Sequence, residues 1–139
     1  MIGKEKKKGM RYMGFKEVPV ESVEFNPFTK IGKQWMLVTA GDQGKFNTMT
    51  ASWGAAGVMW GKNAVTVYIR PQRYTKEFID AKETLTLSFY KEEYRKALSL
   101  LGSVSGRDRD KVKEAGLTPV PVEDTMAFEE ADLILVCRK

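Results

Sequence analysis

The sequence has no histidine, a single cysteine and no long apolar run. The lack of histidine excludes the usual Ser-His-Asp and Cys-His triads and most transition-metal sites. Cys137 alone cannot form a disulfide within the chain, and a lone thiol without a secretory signal pattern favours a cytoplasmic location. No segment approaches the roughly 20 apolar residues of a membrane-spanning helix, so no membrane partner is expected. We predict no catalytic side chain and no metal site.

The net charge of +5 is concentrated at the N-terminus. Residues 1–11 contain four lysines and one arginine against one glutamate, a net +4, which leaves +1 for the rest of the chain. A lysine-rich terminus without an apolar period is typical of a solvated arm, so residues 1–13 are predicted to form a basic flexible tail. A nucleic-acid-binding barrel would also carry such an arm, but the nearly neutral remainder argues against a nucleic-acid partner.

Residues 14–139 fit one compact domain. Two strands, residues 34–40 and 46–53, flank a turn at residues 41–44 and are predicted to form a hairpin. Residues 54–61 are rich in glycine and alanine, and we expect a flexible connection there. Three further strands are predicted at residues 63–70, 84–90 and 131–137.

Short helices are predicted between these strands. One follows Pro71, with Thr75 as its N-cap. From Lys91 the apolar period changes to 3.6, which predicts a helix that ends at Gly102, and a second short helix spans residues 108–115. Strands with a few short inserted helices indicate a mainly β fold, either α+β or a barrel, and not a doubly wound sheet.

The segment 46–53, Phe-Asn-Thr-Met-Thr-Ala-Ser-Trp, is polar where a core strand would be apolar. Small hydroxyl and amide groups can lie against a flat, hydrogen-bonding heterocycle without adding bulk. A threonine-rich edge strand with no ligand would have the same composition, because threonine favours strands. Alternation predicts one face with Asn47, Met49, Ala51 and Trp53, and an opposite face with Phe46, Thr48, Thr50 and Ser52.

A second candidate segment is residues 70–75, Arg-Pro-Gln-Arg-Tyr-Thr. Its two guanidinium groups and its hydroxyl at a predicted helix start would suit a phosphate group, best held by Arg73 and Thr75. Alternatively, the arginines are a solvated strand end and the threonine is an ordinary cap. A third segment, the glycine- and serine-rich residues 102–111, indicates by itself only a helix end and a capped second helix.

Taken together, these segments resemble the FMN-binding split-barrel proteins of the flavin reductase-like family, which includes flavoredoxins. The resemblance covers roughly residues 13–139, and it implies a six-stranded, Greek-key split β-barrel that forms a homodimer with FMN near the subunit interface. It also implies a set of FMN-binding residues. They are Asn47, Thr48, Met49, Thr50, Ala51, Ser52, Trp53, Arg70, Arg73, Tyr74, Thr75, Ser105, Gly106 and Lys111.

The resemblance further implies an oxidoreductase that accepts a hydride from NADH or NADPH at the flavin and passes electrons to free flavin, an iron–sulfur protein or another acceptor. An alternative is an FMN-binding electron carrier without NAD(P)H activity of its own. Family members commonly continue beyond a strand like residues 131–137, so this sequence is expected to lack the family's C-terminal strand, as a natural short form or as a truncated chain.

Overall fold

The computed structural model describes residues 11–12 and 14–139, so the predicted basic tail lies outside the described residues except for the backbone of two positions. The strands are β1 Arg11–Tyr12, β2 Phe15–Lys16, β3 Met36–Gly41, β4 Phe46–Ala51, β5 Gly54–Met59, β6 Lys62–Val67, β7 Thr84–Phe89, β8 Pro119–Val122, β9 Thr125–Phe128 and β10 Leu133–Arg138. The α-helices are α1 Pro27–Lys30, α2 Thr75–Ala81, α3 Arg95–Ser103 and α4 Lys111–Ala115. Short 3-10 turns span Val20–Ser22 and Glu92–Tyr94.

Four antiparallel strands form the central sheet, in the order β10-β7-β3-β4. The other described strands form three two-stranded hairpins, β1–β2, β5–β6 and β8–β9. In the described part of the chain β4 pairs only with β3, so β4 is an edge strand with backbone groups unused by the sheet on one side.

Each face of the central sheet is buried against a different set of elements. Met36, Val38 and Leu87 belong to a core cluster that continues into β6 and α2. Leu37 lies on the opposite face and packs with Leu98 and Leu101 of α3. The sheet is therefore a middle layer, which explains why β3 and β7 are buried along their whole length.

Hydroxyl groups on the second face explain part of the unusual polarity of β4. The Thr39 and Thr48 hydroxyl oxygens are 2.8 Å apart on paired positions of β3 and β4, and Thr48 also donates to the Val38 carbonyl. In the next strand Thr86 donates to the Met126 carbonyl. These fully buried threonines are satisfied by the protein itself, because an unpaired buried hydroxyl would be costly.

The predicted hairpin of β3 and β4 is confirmed, as are the strands at β7 and β10. The expectation of a flexible connection at residues 54–61 is wrong, because this stretch forms β5 and pairs with β6 along its whole length. Trp60 and Gly61, with φ of 54° and 68°, form the two-residue turn between them. Such left-handed turns match the twist of a hairpin, and Trp60 obscured the signal because glycine or asparagine usually occupies that position.

The helices begin and end at other residues than predicted. Thr75 is not the N-cap of α2: the cap position is Tyr74, which makes no capping hydrogen bond, and Thr75 is the first helical residue. Gly102 lies inside α3, whose last residue is Ser103. Helix α4 begins at Lys111 and not near residue 108, and Asp110 caps it by accepting from the backbone N–H of Lys113. None of the helices among the described residues is long and apolar enough to cross a membrane.

Candidate functional site

Two cavities lie along the free edge of β4 and meet at Arg73, which lines both. The lysine cavity has a volume of about 160 Å³ and is lined by Asn47, Gln72, Arg73, Tyr74, Thr75, Gly102, Ser103, Val104, Ser105 and Lys111. The tryptophan cavity has a volume of about 220 Å³ and is lined by Met49, Thr50, Ala51, Ser52, Trp53, Tyr68, Arg70 and Arg73. Their shared residue makes them two ends of one candidate site.

Arg73 is held in place by backbone groups on both sides of the site. A turn after β6 closes with the Arg73 N–H donating to the Arg70 carbonyl at 3.0 Å. Its guanidinium then donates to the Gly102 carbonyl of α3 at 3.1 Å. Burial and the nearby charge of Arg70 lower the pKa of Arg73 from its usual value, although a guanidinium remains cationic at neutral pH.

Lys111 is the most deeply buried cation of the lysine cavity, with only 3% of its surface exposed. Its Nζ donates to the carbonyls of Leu101 at 3.0 Å and Val104 at 2.9 Å, both at the C-terminal end of α3. Burial, and secondarily the charge of Arg73, lower the pKa of Lys111 to about 8. The ammonium is thus fixed at the negative end of a helix, where a cation is favoured.

The lysine cavity carries positive charge that its own lining does not neutralise. No carboxylate lies among the described residues that line it, and neither Arg73 nor Lys111 forms an ion pair with a described carboxylate. After its two hydrogen bonds to carbonyls, the Lys111 ammonium has one N–H left for a ligand. After its one hydrogen bond to a carbonyl, the Arg73 guanidinium has four. A doubly cationic cavity with one buried ammonium and spare donors is suited to an anion with several acceptor oxygens.

Asn47 joins the three segments that surround the lysine cavity. Its Nδ2 donates to the Thr75 hydroxyl oxygen at 2.8 Å, which leaves the hydroxyl proton of Thr75 available to a ligand. Its Oδ1 lies close to Gly106, where an added Cβ would be only 2.1 Å away. Gly106 is not a lining residue of the cavity. Its lack of a side chain instead allows the loop after α3 to approach β4.

The tryptophan cavity is built differently, from the end of an edge strand and exposed aromatic rings. Trp53 and Tyr68 are 64% and 58% exposed. The Thr50 hydroxyl donates to the Leu98 carbonyl of α3, so its hydrogen is already used. The unpaired side of β4 supplies backbone donors and acceptors, which can hydrogen-bond the edge of a flat ring.

The structure brings together most of the predicted site residues. The lysine cavity contains six of them, Asn47, Arg73, Tyr74, Thr75, Ser105 and Lys111. The tryptophan cavity contains Met49, Thr50, Ala51, Ser52, Trp53, Arg70 and Arg73. Thr48 lines neither cavity, because its side chain is fully buried and its hydroxyl is paired with that of Thr39 on β3.

Some lining residues were missed from the sequence. Gln72, Gly102, Ser103 and Val104 line the lysine cavity, and Tyr68 lines the tryptophan cavity. Gln72 lies inside the segment 70–75, so its position between the two arginines could have indicated it. Tyr68 follows β6 directly, and only the fold brings it beside the end of β4.

The family model described as "Flavin reductase like domain" matches residues 28–139. The match contains every strand of the central sheet and all residues that line the two cavities. No curated protein matches the chain.

Three solved structures share the fold. The FMN-binding domain of a flavin reductases-like enzyme from Shewanella baltica is 23% identical, with a TM-score of 0.70 over 80% of this chain and 59% of that one. Flavoredoxin of Desulfovibrio vulgaris is 29% identical, with a TM-score of 0.61 over 68% and 52%. Flavoredoxin from Methanosarcina acetivorans is 23% identical, with a TM-score of 0.67 over 86% and 64%. The predicted fold class, a mainly β split barrel, is confirmed, and the chain spans less than two thirds of each of these structures.

Proposed function

This chain belongs to the flavin reductase-like domain family, and from that membership we propose that it is an FMN-binding oxidoreductase that takes a hydride from NADH or NADPH and passes electrons to an acceptor. The lysine cavity receives the FMN phosphate. The tryptophan cavity receives the isoalloxazine ring. Because Arg73 lines both cavities, one FMN molecule would occupy the two together.

The unneutralised charge of the lysine cavity is the observation that carries the proposal. Arg73 and Lys111 donate to the carbonyls of Gly102 and Leu101 in α3 and of Val104 directly after it, at 3.1, 3.0 and 2.9 Å, with no carboxylate in the described lining. A cation used only to cap a helix would gain by facing water, whereas Lys111 is almost completely buried. A phosphate monoester supplies the missing negative charge and up to three acceptor oxygens.

The remaining lining residues fit both the phosphate and the ring of FMN. The Thr75 hydroxyl and the Ser103 and Ser105 side chains add small polar groups around the phosphate position. The edge of β4 offers backbone groups to the polar rim of the ring, and Trp53 and Tyr68 offer apolar surface. When bound, FMN would supply the hydride and electron transfer, and the chain would bind it, orient it and limit the access of water. This division explains how a chain without histidine can serve a redox reaction.

A single optical experiment tests the proposal. Purified chain, reconstituted with FMN if necessary, is expected to show a flavin absorbance spectrum with one FMN per subunit. Anaerobic addition of NADH or NADPH is expected to bleach the bound flavin, and the faster of the two identifies the donor. Protein that remains colourless and shows no FMN titration at micromolar concentrations would refute the binding site itself.

The same experiment separates the proposal from its alternative, an FMN-binding electron carrier without NAD(P)H activity. Two of the similar structures are flavoredoxins. Bound FMN that resists both nicotinamides, but is bleached by dithionite, would favour the carrier. A protein electron acceptor fits either function.

A homodimer in the cytoplasm completes the proposal. Val58, Met59 and Trp60 of the β5–β6 hairpin are 72%, 64% and 93% exposed, which is unusual for such large apolar side chains. Strand β6 packs on the core cluster through Val65 and Val67 while these three side chains stay exposed, so a second copy of the chain would be a suitable cover for them. Sedimentation analysis is expected to give a dimer, and Trp60→Ser should shift the equilibrium toward the monomer.

A further inference from the structure

A third cavity, of about 460 Å³, shares no lining residue with the two cavities of the proposed flavin site. We call it the basic cavity, because four basic side chains, Lys30, Lys33, Lys91 and Arg95, surround it together with the carboxylates of Glu92 and Asp132. Its volume lies within the range of small-molecule sites. None of the roles proposed above uses it.

The basic cavity has an excess of positive charge. Its four cations outnumber its two carboxylates, which leaves a net +2 in the lining. Within the part of the chain that the structure describes, none of the four cations forms an ion pair. Like charges gathered around a concave surface repel each other and raise the local concentration of anions.

Arg95 is held in an orientation that suits anion recognition. Its guanidinium carbon lies 3.1 Å from the centre of the Trp35 ring, and one N–H donates to the Lys33 carbonyl. Stacking on an aromatic face fixes the plane of the guanidinium, while its remaining donors stay available. Such a fixed fork matches the paired oxygens of a phosphate or a carboxylate.

The backbone beneath Arg95 is in a rare conformation. Trp35 has a φ of 68°, in the left-handed region that large side chains seldom adopt. Strain of this kind is retained mainly where surrounding contacts require it, and it is concentrated at ligand sites. Here it occurs at the residue that supports the cation of the cavity.

The remaining lining favours a small molecule over an acidic protein surface. Tyr90 and Leu98 are buried beneath the ring of cations. The Tyr90 hydroxyl is 2.9 Å from that of Ser88, so a partner inside the protein already satisfies it. A charged rim around a recessed apolar floor is typical of ligand pockets, whereas protein partners usually dock on flatter patches.

We propose that the basic cavity binds a small polyanion with phosphate or carboxylate groups, at a site separate from the flavin site. Arg95 is the principal ligand, and Lys30, Lys33 and Lys91 complete the charge complement.

Isothermal titration with two probes, inorganic pyrophosphate and citrate, tests the proposal. At least one probe is expected to bind saturably at a site that Arg73→Ala leaves intact, whereas any additional site that Arg73→Ala weakens belongs to the lysine cavity. The tighter probe at the retained site identifies the preferred anionic group. Arg95→Gln should weaken that binding about tenfold or more, as expected for the loss of a charge-assisted pair. Lys96→Gln, which removes an exposed charge from the neighbouring position on α3 outside the cavity, should change it less than about twofold.

Two further variants keep the outcome clear. If Arg95→Gln does not fold, Lys33→Gln takes its place in the test. It removes an exposed lysine of the lining and should weaken binding several-fold. Arg73→Ala should leave probe binding at the basic cavity unaffected, because Arg73 lines only the two cavities of the flavin site. Absence of saturable binding, equal losses in Arg95→Gln and Lys96→Gln, or a loss confined to Arg73→Ala would each overturn the proposal. None of these results depends on whether the chain binds FMN.

Discussion

The two cavities at the edge of β4 differ in what their side chains have left to offer a ligand. In the lysine cavity, Arg73 and Lys111 keep charge and N–H donors in reserve after they have bonded α3. In the tryptophan cavity, the Thr50 hydroxyl is already used within the protein, and much of the surface is exposed aromatic ring. We infer that affinity for FMN comes mainly from the first cavity, and that the second contributes fit and backbone contacts.

Arg73→Ala is expected to have the largest effect on FMN affinity. The change removes a charge-assisted contact worth about 1.5–3 kcal/mol, which corresponds to a loss of about tenfold to a hundredfold. Titration with riboflavin, which lacks the phosphate, is the internal comparison, and its affinity should be nearly unchanged.

Arg70→Ala is the matched control, since Arg70 lines only the tryptophan cavity. It should weaken FMN less than Arg73→Ala does. If riboflavin affinity falls as much as FMN affinity in Arg73→Ala, the residue does not act on the phosphate, and the contrast between the cavities fails.

Lys111→Met should weaken FMN about tenfold and also destabilise the ligand-free protein. The substitution leaves the Leu101 and Val104 carbonyls without their ammonium partner, at a cost of about 1–3 kcal/mol. Thermal or urea unfolding measures the second effect, and exposed Lys113→Met is the control on the same short helix. Wild-type stability in the Lys111 variant would show that relief from burying the charge offsets the loss of the two carbonyl bonds.

The pH dependence of the lysine cavity should have opposite signs for binding and for folding. Lys111 titrates at a pKa of about 8 in the folded chain, below its ordinary 10.5. A phosphate dianion favours the charged ammonium, so FMN affinity should fall several-fold as pH rises through about 8. Between these pKa values the unfolded chain binds more protons, so the stability of the ligand-free protein should rise with pH.

Both slopes are measurable at constant ionic strength between pH of about 7 and 9.5, and Lys111→Met should flatten them together. A change in FMN affinity that persists in this variant would assign the titration to another group. Arg73, which lines both cavities, remains cationic throughout this pH range.

The sequence was most predictive where local chemistry decides the structure. Residues 41–44 predicted the β3–β4 hairpin, and the alternation in β7 predicted its strand, because turn residues and period two act over short distances. The split-barrel fold followed from the resemblance of three segments, and the similar solved structures confirm it.

What the sequence did not predict depends on distant packing. Thr48 has the same residue type and strand as Thr50, yet it is paired with Thr39 in the core, while Thr50 reaches α3. The two differ in the element that lies beside each hydroxyl, Thr39 of β3 for Thr48 and α3 for Thr50. Likewise, the charge excess of the lysine cavity requires Arg73 and Lys111, which are far apart in sequence, to meet at the end of α3.

Thr50→Val is expected to have the smallest effect on FMN, within about twofold, because the hydroxyl donates to the Leu98 carbonyl. That carbonyl belongs to the first turn of α3. In the valine variant a methyl group takes the place of the hydroxyl beside it, and the lost hydrogen bond should lower the free energy of unfolding by about 0.5–1.5 kcal/mol. Thr50→Ser, which keeps the hydroxyl, is the control for both measurements. A tenfold loss of FMN in the valine variant at unchanged stability would mean that the hydroxyl turns from Leu98 to the flavin. The tryptophan cavity would then bind through its side chains, as the lysine cavity does, and the difference between the two would disappear.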